Sequence, residues 1–237
     1  MSLTYTTYVA QLANIMTVTS STAQFQTMLP GCIDYAEQRI YRELDLLQTV
    51  VRDSSGSTSS GVREFTLPIT ANGKFVTVQG INLFFPAGTT AATGSRSALQ
   101  PVSRDFLEAT YGSGNTGAGQ PAYFAMIDQW TIIVGPWPNG SFRLEVVGTI
   151  RPNALSSTNP TTFLTEYLPD LFVAASMIYA SGYQRDFGSQ ADNPQQSQSW
   201  ESQYERLFAS ANGEEMRKKF SGPGWTSYSN VANPPER

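Results

Sequence analysis

"TTFLTEYLPDLFVAASMIYASGYQRDFG", residues 161–188, begins where a long stretch of β-type sequence stops at Pro160. Leu168-Pro169-Asp170 is a sound helix start, with a proline in the first turn and an acid at the positive end of the peptide dipole. Leu168, Leu171, Phe172, Ala175, Ile178, Tyr179 and Gly182 recur at steps of three and four, which predicts a buried stripe. Ala174, Ala175, Ser176, Ala180, Ser181 and Gly182 are small, so a neighbouring helix can approach closely. Arg185 falls in the last turn and Gly188 is a natural left-handed terminator.

Helical signals lie on both sides of the β region. Downstream, Asn193 reads as a cap, Pro194 as the first helical position and Gln196 as reaching back to the cap. Trp200, Tyr204, Leu207, Phe208 and Ala211 then line one face. Upstream, Tyr8, Val9, Leu12, Ile15 and Met16 have helical spacing behind a run of threonines, and Phe25, Met28 and Leu29 suggest one short turn. Pro30 is expected to open a longer helix, with Ile33, Ala36, Ile40, Leu44 and Leu47 as its apolar stripe. The acids Asp34, Glu37, Glu43 and Asp45 mostly miss that stripe and read as a solvated face. The stripe of the 161–188 helix should pair with the Ile33 to Leu47 stripe across the intervening sequence.

That intervening sequence opens with a polar linker, "RDSSGSTSSG" at residues 52–61. "VREFTLPI" (62–69), "KFVTVQGINLFF" (74–85), "YFAMIDQWTIIV" (123–134) and "SFRLEVVGTI" (141–150) are β-branched and aromatic runs bounded by turn formers. Asp128-Gln129 suits a tight hairpin. "SRDFLEATY" (103–111) reads as one short helix, and "PAGTTAATGSRS" (86–97) and "GSGNTGAGQ" (112–120) as flexible loops. The expected fold class is α+β: an antiparallel helical bundle with a β-rich domain inserted between its second and third main helices. The expected division is residues 1–51 and 161–212 for the bundle, 52–160 for the insert, and 213–237 for an extended, Ser/Gly/Pro-rich C-terminal arm.

Composition narrows the functions. Charged residues make up 14% of the chain, well below the usual share of about a quarter. Ser, Thr, Asn, Gln and Gly take up the difference, a weakly charged polar surface common in virion proteins and symmetric assemblies. Net charge is −4, and the three lysines are Lys74, Lys218 and Lys219. The first 210 residues therefore offer no basic stripe for neutralising duplex phosphates. The absence of histidine removes His-based triads, the usual proton shuttle and the commonest metal ligand. Cys32, the single cysteine, admits no internal disulfide and reads as a small buried hydrophobe. "MSLTYTTYVAQL" lacks a basic region followed by an apolar core, and no apolar run is long enough to span a membrane. A soluble protein made in a cytoplasm, without cofactor or metal, is expected.

Few residues invite a chemical reading. A glycosidase needs two carboxylates about 5 to 9 Å apart across a cleft; a single sequence does not place such a pair, and Asp105, Glu108, Asp128 and Glu145 stay open for it. "GSGNTGAG" lacks the Lys-Ser/Thr ending of a phosphate loop. Asn139-Gly140-Ser141 has the form of a glycosylation site but is more simply a turn. Tyr123, Trp130 and Trp137 fit either a sugar-stacking platform or core and interface packing. The last segment is the best candidate for docking: Met216, Arg217, Lys218, Lys219, Phe220, Trp225 and Tyr228 join positive charge to aromatic surface that is costly to leave in water.

At "PGCIDYAEQRIYRELDLL" (30–47), "PVSRDFLEATY" (101–111), "PAYFAMID" (121–128), "IIVGPWP" (132–138), "LEVVGTIRPNALS" (144–156) and residues 159–188, the sequence resembles the head-to-tail adaptor proteins of tailed bacteriophages, mainly short-tailed ones. The resemblance covers most of residues 1–210 in order. That family has no active-site signature, so no catalytic residue carries over. The resemblance implies a homo-oligomeric ring, typically about twelve copies, below the portal protein at the virion neck. It implies a helical body around the DNA channel, through which genomic DNA passes without sequence-specific binding. It further implies a β insert directed toward tail nozzle or tail-fibre proteins, a C-terminal arm that grips the portal, assembly in the host cytoplasm and no membrane partner. Ile33, Ile40, Leu44, Leu171, Ala175, Ile178, Gly182, Trp200, Tyr204 and Leu207 are the candidates for packing within the bundle or between subunits. Two other classes stand beside this one: a tail or fibre-attachment module that binds glycan or protein through the β insert, and a tail-borne wall hydrolase.

Overall fold

The structure, a computed structural model, describes residues 2–112, 117–184 and 194–220, apart from the side chains of 183–184, 194–197 and 220. The chain forms two compact units, one made of residues up to Leu47 and from Ala154 onward, the other of Gln48–Asn153. The first is helical and the second β-rich, so a β-rich insertion follows two N-terminal helices and precedes the remaining ones. This is the α+β architecture expected above.

Helix α1 (Tyr5–Ile15) starts at Thr4, whose hydroxyl accepts the Thr7 N–H while the Thr7 hydroxyl accepts the Thr4 N–H, a reciprocal cap. Helix α2 (Ala23–Glu43) starts earlier than the sequence suggests. Pro30 lies inside α2 rather than opening it, although it cannot donate to the Gln26 carbonyl. Burial of Phe25, Met28 and Leu29 on the same face as Cys32, Ile33, Ala36 and Ile40 favours one continuous helix over two. Helix α2 also ends before the expected Leu47: Leu44 is extended, and Leu47–Thr49 forms one 3-10 turn.

The 161–188 segment is two helices, α4 (Phe163–Tyr167) and α5 (Pro169–Gln184); the short helix α3 lies in the β unit described below. Leu168 breaks the run at φ −130°, ψ 45°, outside the helical region that is disfavoured for the residue before a proline. Helix α5 is buried nearly all round: Leu171 through Met177 are all buried, as are Ala180 and Ser181. Tyr179 and Gly182 are exposed, which corrects the stripe reading at those two positions. Helix α6 (Pro194–Phe220) continues through Gly213, where the sequence reading ended it. Arg185, Gly188 and the Asn193 cap lie outside the described residues.

One core joins α1, α2, α5 and α6, with Tyr8, Leu12, Ile40, Phe172 and Tyr204 near its centre. Helix α2 packs on α5, and α5 on α6. Residues after Asn153 belong to this unit because Leu155 is buried in its core and the Pro160 carbonyl accepts the Tyr5 N–H at 2.8 Å.

The β unit has two sheets. In the first, β1 (Val50–Asp53), β9 (Arg143–Pro152), β4 (Gly73–Phe85) and β3 (Ile69–Thr70) lie side by side, and β5 (Ser95–Ala98) pairs with the far end of β4. The second has the order β2 (Glu64–Thr66), β8 (Thr131–Gly135), β7 (Tyr123–Met126) and β6 (Gln100–Pro101). Both sheets feed one core around Phe75, Leu83, Ile132, Leu144 and Val146. Helix α3 (Arg104–Tyr111) covers the outer face of β7 and β8 with Leu107, against Ala125 and Ile133. That cover explains why β8 is apolar at consecutive positions: Ile132 and Val134 face one core and Ile133 the other. The expected hairpin is present, with Asp128 Oδ1 accepting the N–H groups of Trp130 and Thr131 at 2.6 and 2.8 Å. The 86–97 stretch is less loop than expected, because its end forms β5.

Strand β4 carries two bulges opposite β9, between Phe75 and Thr77 and between Val78 and Gly80. Gly148 of β9 sits between them, and a Cβ there would lie 2.2 Å from the Thr77 carbonyl oxygen. Only a residue without a side chain admits this approach.

Candidate functional site

The helical unit is tied together by polar contacts that its sequence pattern conceals. Arg39, on the polar side of α2, makes a two-pronged contact with the Glu201 carboxylate of α6, one prong at 2.9 Å. Its Nε reaches Glu43 at 3.1 Å, and its guanidinium lies 4.1 Å from the centre of the Tyr204 ring. The Tyr204 hydroxyl donates to Glu43 Oε2 at 2.6 Å. Burial raises the Tyr204 phenol above its ordinary range, and the hydrogen bond to Glu43 acts in the same direction. The Arg39 hydrogen bond holds Glu201 below the usual glutamate range. Beside this network, Gly31, Asp34, Tyr35, Gln38, Arg42 and Tyr179 line an open cleft of about 590 Å³.

A pH dependence follows from Glu201. Its folded-state pKa is depressed, so the stabilisation is present above the unfolded value, about 4.3, and is lost as pH falls through the folded value. Glu201→Gln is therefore expected to lower the melting temperature at pH 7, and to lower it by less at about pH 3, below the unfolded glutamate value. The carboxylate is more than a third exposed, so the effect at pH 7 is small. Equal offsets at both pH values would contradict this assignment.

A second set of contacts lies where the chain leaves and re-enters the helical unit. Glu215, in α6, is 3% exposed, and its carboxylate accepts the Leu47 N–H at 3.0 Å and Lys218 Nζ at 2.8 Å. Lys218 also reaches Glu214 at 2.8 Å, and Lys219 pairs with Asp45. The hydrogen bond to Glu214 is the first reason that Lys218 titrates above its ordinary value. On the returning chain, Leu155 donates its N–H at 2.8 Å to the carboxylate of Glu37, a residue 6% exposed. Glu37 is thus no part of a solvated face. Backbone amides contributed from far away in sequence satisfy both buried acids, so spacing within their own helices carries no signal of their role.

The expected packing residues fall into three groups. Ile33, Ile40, Leu44, Leu171, Ala175 and Tyr204 are buried in the common core, and Ile178, Trp200 and Leu207 pack partly buried against it. Gly182 is exposed, and a Cβ there would meet nothing within 4 Å. Of the expected docking residues, Met216 and Arg217 are exposed on α6, whereas Lys218 and Lys219 are held by the carboxylates described above. Trp225, Tyr228 and the Phe220 side chain lie outside the described residues.

The chemical alternatives lose their residues one by one. Glu145 is buried and paired with Arg96 at 2.9 Å and hydrogen-bonded to Asn82, Glu108 pairs with Arg104 on its own helix, and Asp128 serves its hairpin. Asp105 occupies the first turn of α3. Trp137 donates its indole N–H to the Tyr111 carbonyl at 2.8 Å, and Tyr123 packs beside Phe106 and Tyr111, while Trp130 is exposed. Burial pushes the Cys32 thiol up to about 12, so it stays protonated and unreactive as a nucleophile. Among the described residues no group of three or more potential ligand side chains is placed to hold a metal ion, and no helix is long and apolar enough to cross a membrane.

What remains is a scaffold whose polar groups hold helices and chain crossings in place. The SU10 adaptor protein family model matches residues 3–225, spanning the helical unit and the whole β insertion. The chain belongs to that family. No individual curated protein matches it. The adaptor is thus a head-to-tail connector of tailed bacteriophages, a structural and non-catalytic component of the virion. Membership implies contact with portal and tail components and assembly into an oligomeric ring.

Proposed function

We propose that the adaptor forms a ring of about twelve copies at the virion neck, below the portal, with the helical unit surrounding the DNA channel. The observation that carries this reading is the extent of the family match, from residue 3 to residue 225, which includes the last turn of α6. A cyclic ring needs two different complementary faces on each subunit. One candidate is the surface that α2 and α5 share around Tyr35, Arg42 and Tyr179, next to Gly182. Genomic DNA passes without being held, because the net charge is −4 and two of the three lysines are neutralised by carboxylates of the same subunit. Exposed Phe106, Met126 and Trp130 on the β unit suit contact with tail nozzle or tail-fibre proteins. Assembly takes place in the host cytoplasm, before the particle is released.

The portal grip is assigned to the end of α6 and the residues beyond it, with Met216 and Arg217 leading. Ending the chain after Phe220 leaves α6 whole and removes Trp225 and Tyr228. This truncation is expected to weaken ring formation on purified portal by about tenfold or more, the loss typical of one aromatic anchor. Negative-stain microscopy and co-sedimentation read the result. Unchanged binding by a folded truncated protein would overturn the part given to Trp225 and Tyr228 and leave the grip to the end of α6 alone.

A further inference from the structure

We propose that the last turn of α6 is a latch on the chain where it leaves the helical unit, released when a partner offers carboxylates to Lys218 and Lys219. Three contacts define it. Glu215 holds the Leu47 amide, Lys218 holds Glu215, and Lys219 holds Asp45. Asp45 and Leu47 flank Leu46 in the stretch that joins α2 to β1, so a single turn of α6 grips this connection at two points. The grip depends on charge. Glu215 is buried, and with Lys218 withdrawn its carboxylate would be left in the core without its cation, a costly state that weakens its hold on the Leu47 N–H. Met216 and Arg217 lie in the same turn and are exposed, so a partner that seats on them is within reach of both lysines. Lys219 is tied to an Asp45 carboxylate that is itself 81% exposed, the contact most easily exchanged for another acid. Binding at the end of α6 would thus be felt at residues 44–49, which carry the chain toward the β unit.

The identity of the partner rests on the portal reading above; the latch itself does not. Hydrogen–deuterium exchange of the full-length adaptor tests both. In the free protein, Glu215→Ala is expected to raise exchange in peptide 44–49 by about tenfold, the size expected for losing one charge-assisted hydrogen bond, and Lys219→Met by about two- to fivefold, the size of a solvent-exposed ion pair. Lys219→Met alters a surface pair and keeps the measurement valid if Glu215→Ala fails to fold. Adding purified portal rings to the wild-type protein should raise exchange in the same peptide while α1 and α5 stay protected. If portal co-sediments and peptide 44–49 is unchanged or more protected, the latch is wrong and the neck reading stands. A Lys219→Met protein that exchanges like wild type in that peptide also overturns the latch. Absence of any co-sedimentation overturns the neck reading and removes the latch's trigger with it.

Discussion

Phe172→Ala is expected to destabilise the helical unit by about 4–5 kcal/mol, toward the upper end of the range for deleting a buried aromatic ring. Phe172 is fully buried on α5, with its ring 4.9 Å from that of Tyr8 on α1. A cavity costs less when a neighbour can swing into it, and here the obvious neighbour is pinned. The Tyr8 hydroxyl donates to Ser176 Oγ at 2.8 Å, and Ser176 donates in turn to the Phe172 carbonyl at 2.7 Å. Filling the hole with Tyr8 would strand a hydroxyl at a site where burial already drives the phenol far above its ordinary titration range. Urea denaturation followed by far-UV circular dichroism measures the loss, and Phe172→Leu, which refills much of the volume, should cost clearly less. A loss below about 1 kcal/mol for alanine would mean that the core relaxes around the gap.

Gly148→Ala is the second large effect, and it falls on the β unit. The added methyl would sit 2.2 Å from the Thr77 carbonyl oxygen and 3.2 Å from the Phe75 ring. The first of these neighbours is backbone, held between two bulges, so relief requires β4 to lift from β9 over their central pairs. Overpacking of this kind costs about 1–3 kcal/mol where side chains can adjust, and more is expected where they cannot. Exchange in peptides from β4 and β9 should rise sharply, while peptides from α1 and α5 keep their protection. Equal loosening of both units would show that the two do not unfold separately.

Much of this architecture is visible in the chain before any coordinate is known. The stripes on α2 and α5 find each other because both obey helical spacing, and α3 is announced by Ser103, whose hydroxyl accepts the Phe106 N–H. The turn at Asp128 is legible for the same local reason. What escapes is what depends on distant partners. Glu37 and Glu215 look like ordinary surface acids until Leu155 and Leu47 bring their amides to them. Pro30 looks like a boundary because the packing that keeps α2 continuous around it is tertiary. Lys218 and Lys219 look like free charge for a partner, and their carboxylates lie on one adjacent turn and one remote segment. The assembly role was legible through extended wording rather than through any reactive group.

The helical core is closed by segments from the two ends of the chain, and this sets an order of events at the ribosome. Helices α1 and α2 are made first, but the side chains that cover them, from Leu164 to Ala211, come after the entire β insertion. At about 5–20 residues per second, the insertion alone delays that cover by roughly 5–20 s. Through this interval a nascent adaptor holds two half-covered helices and no finished subunit face. Self-association that needs a finished helical face therefore waits until α6 has been made, and a ring is built from subunits whose helical core is already closed.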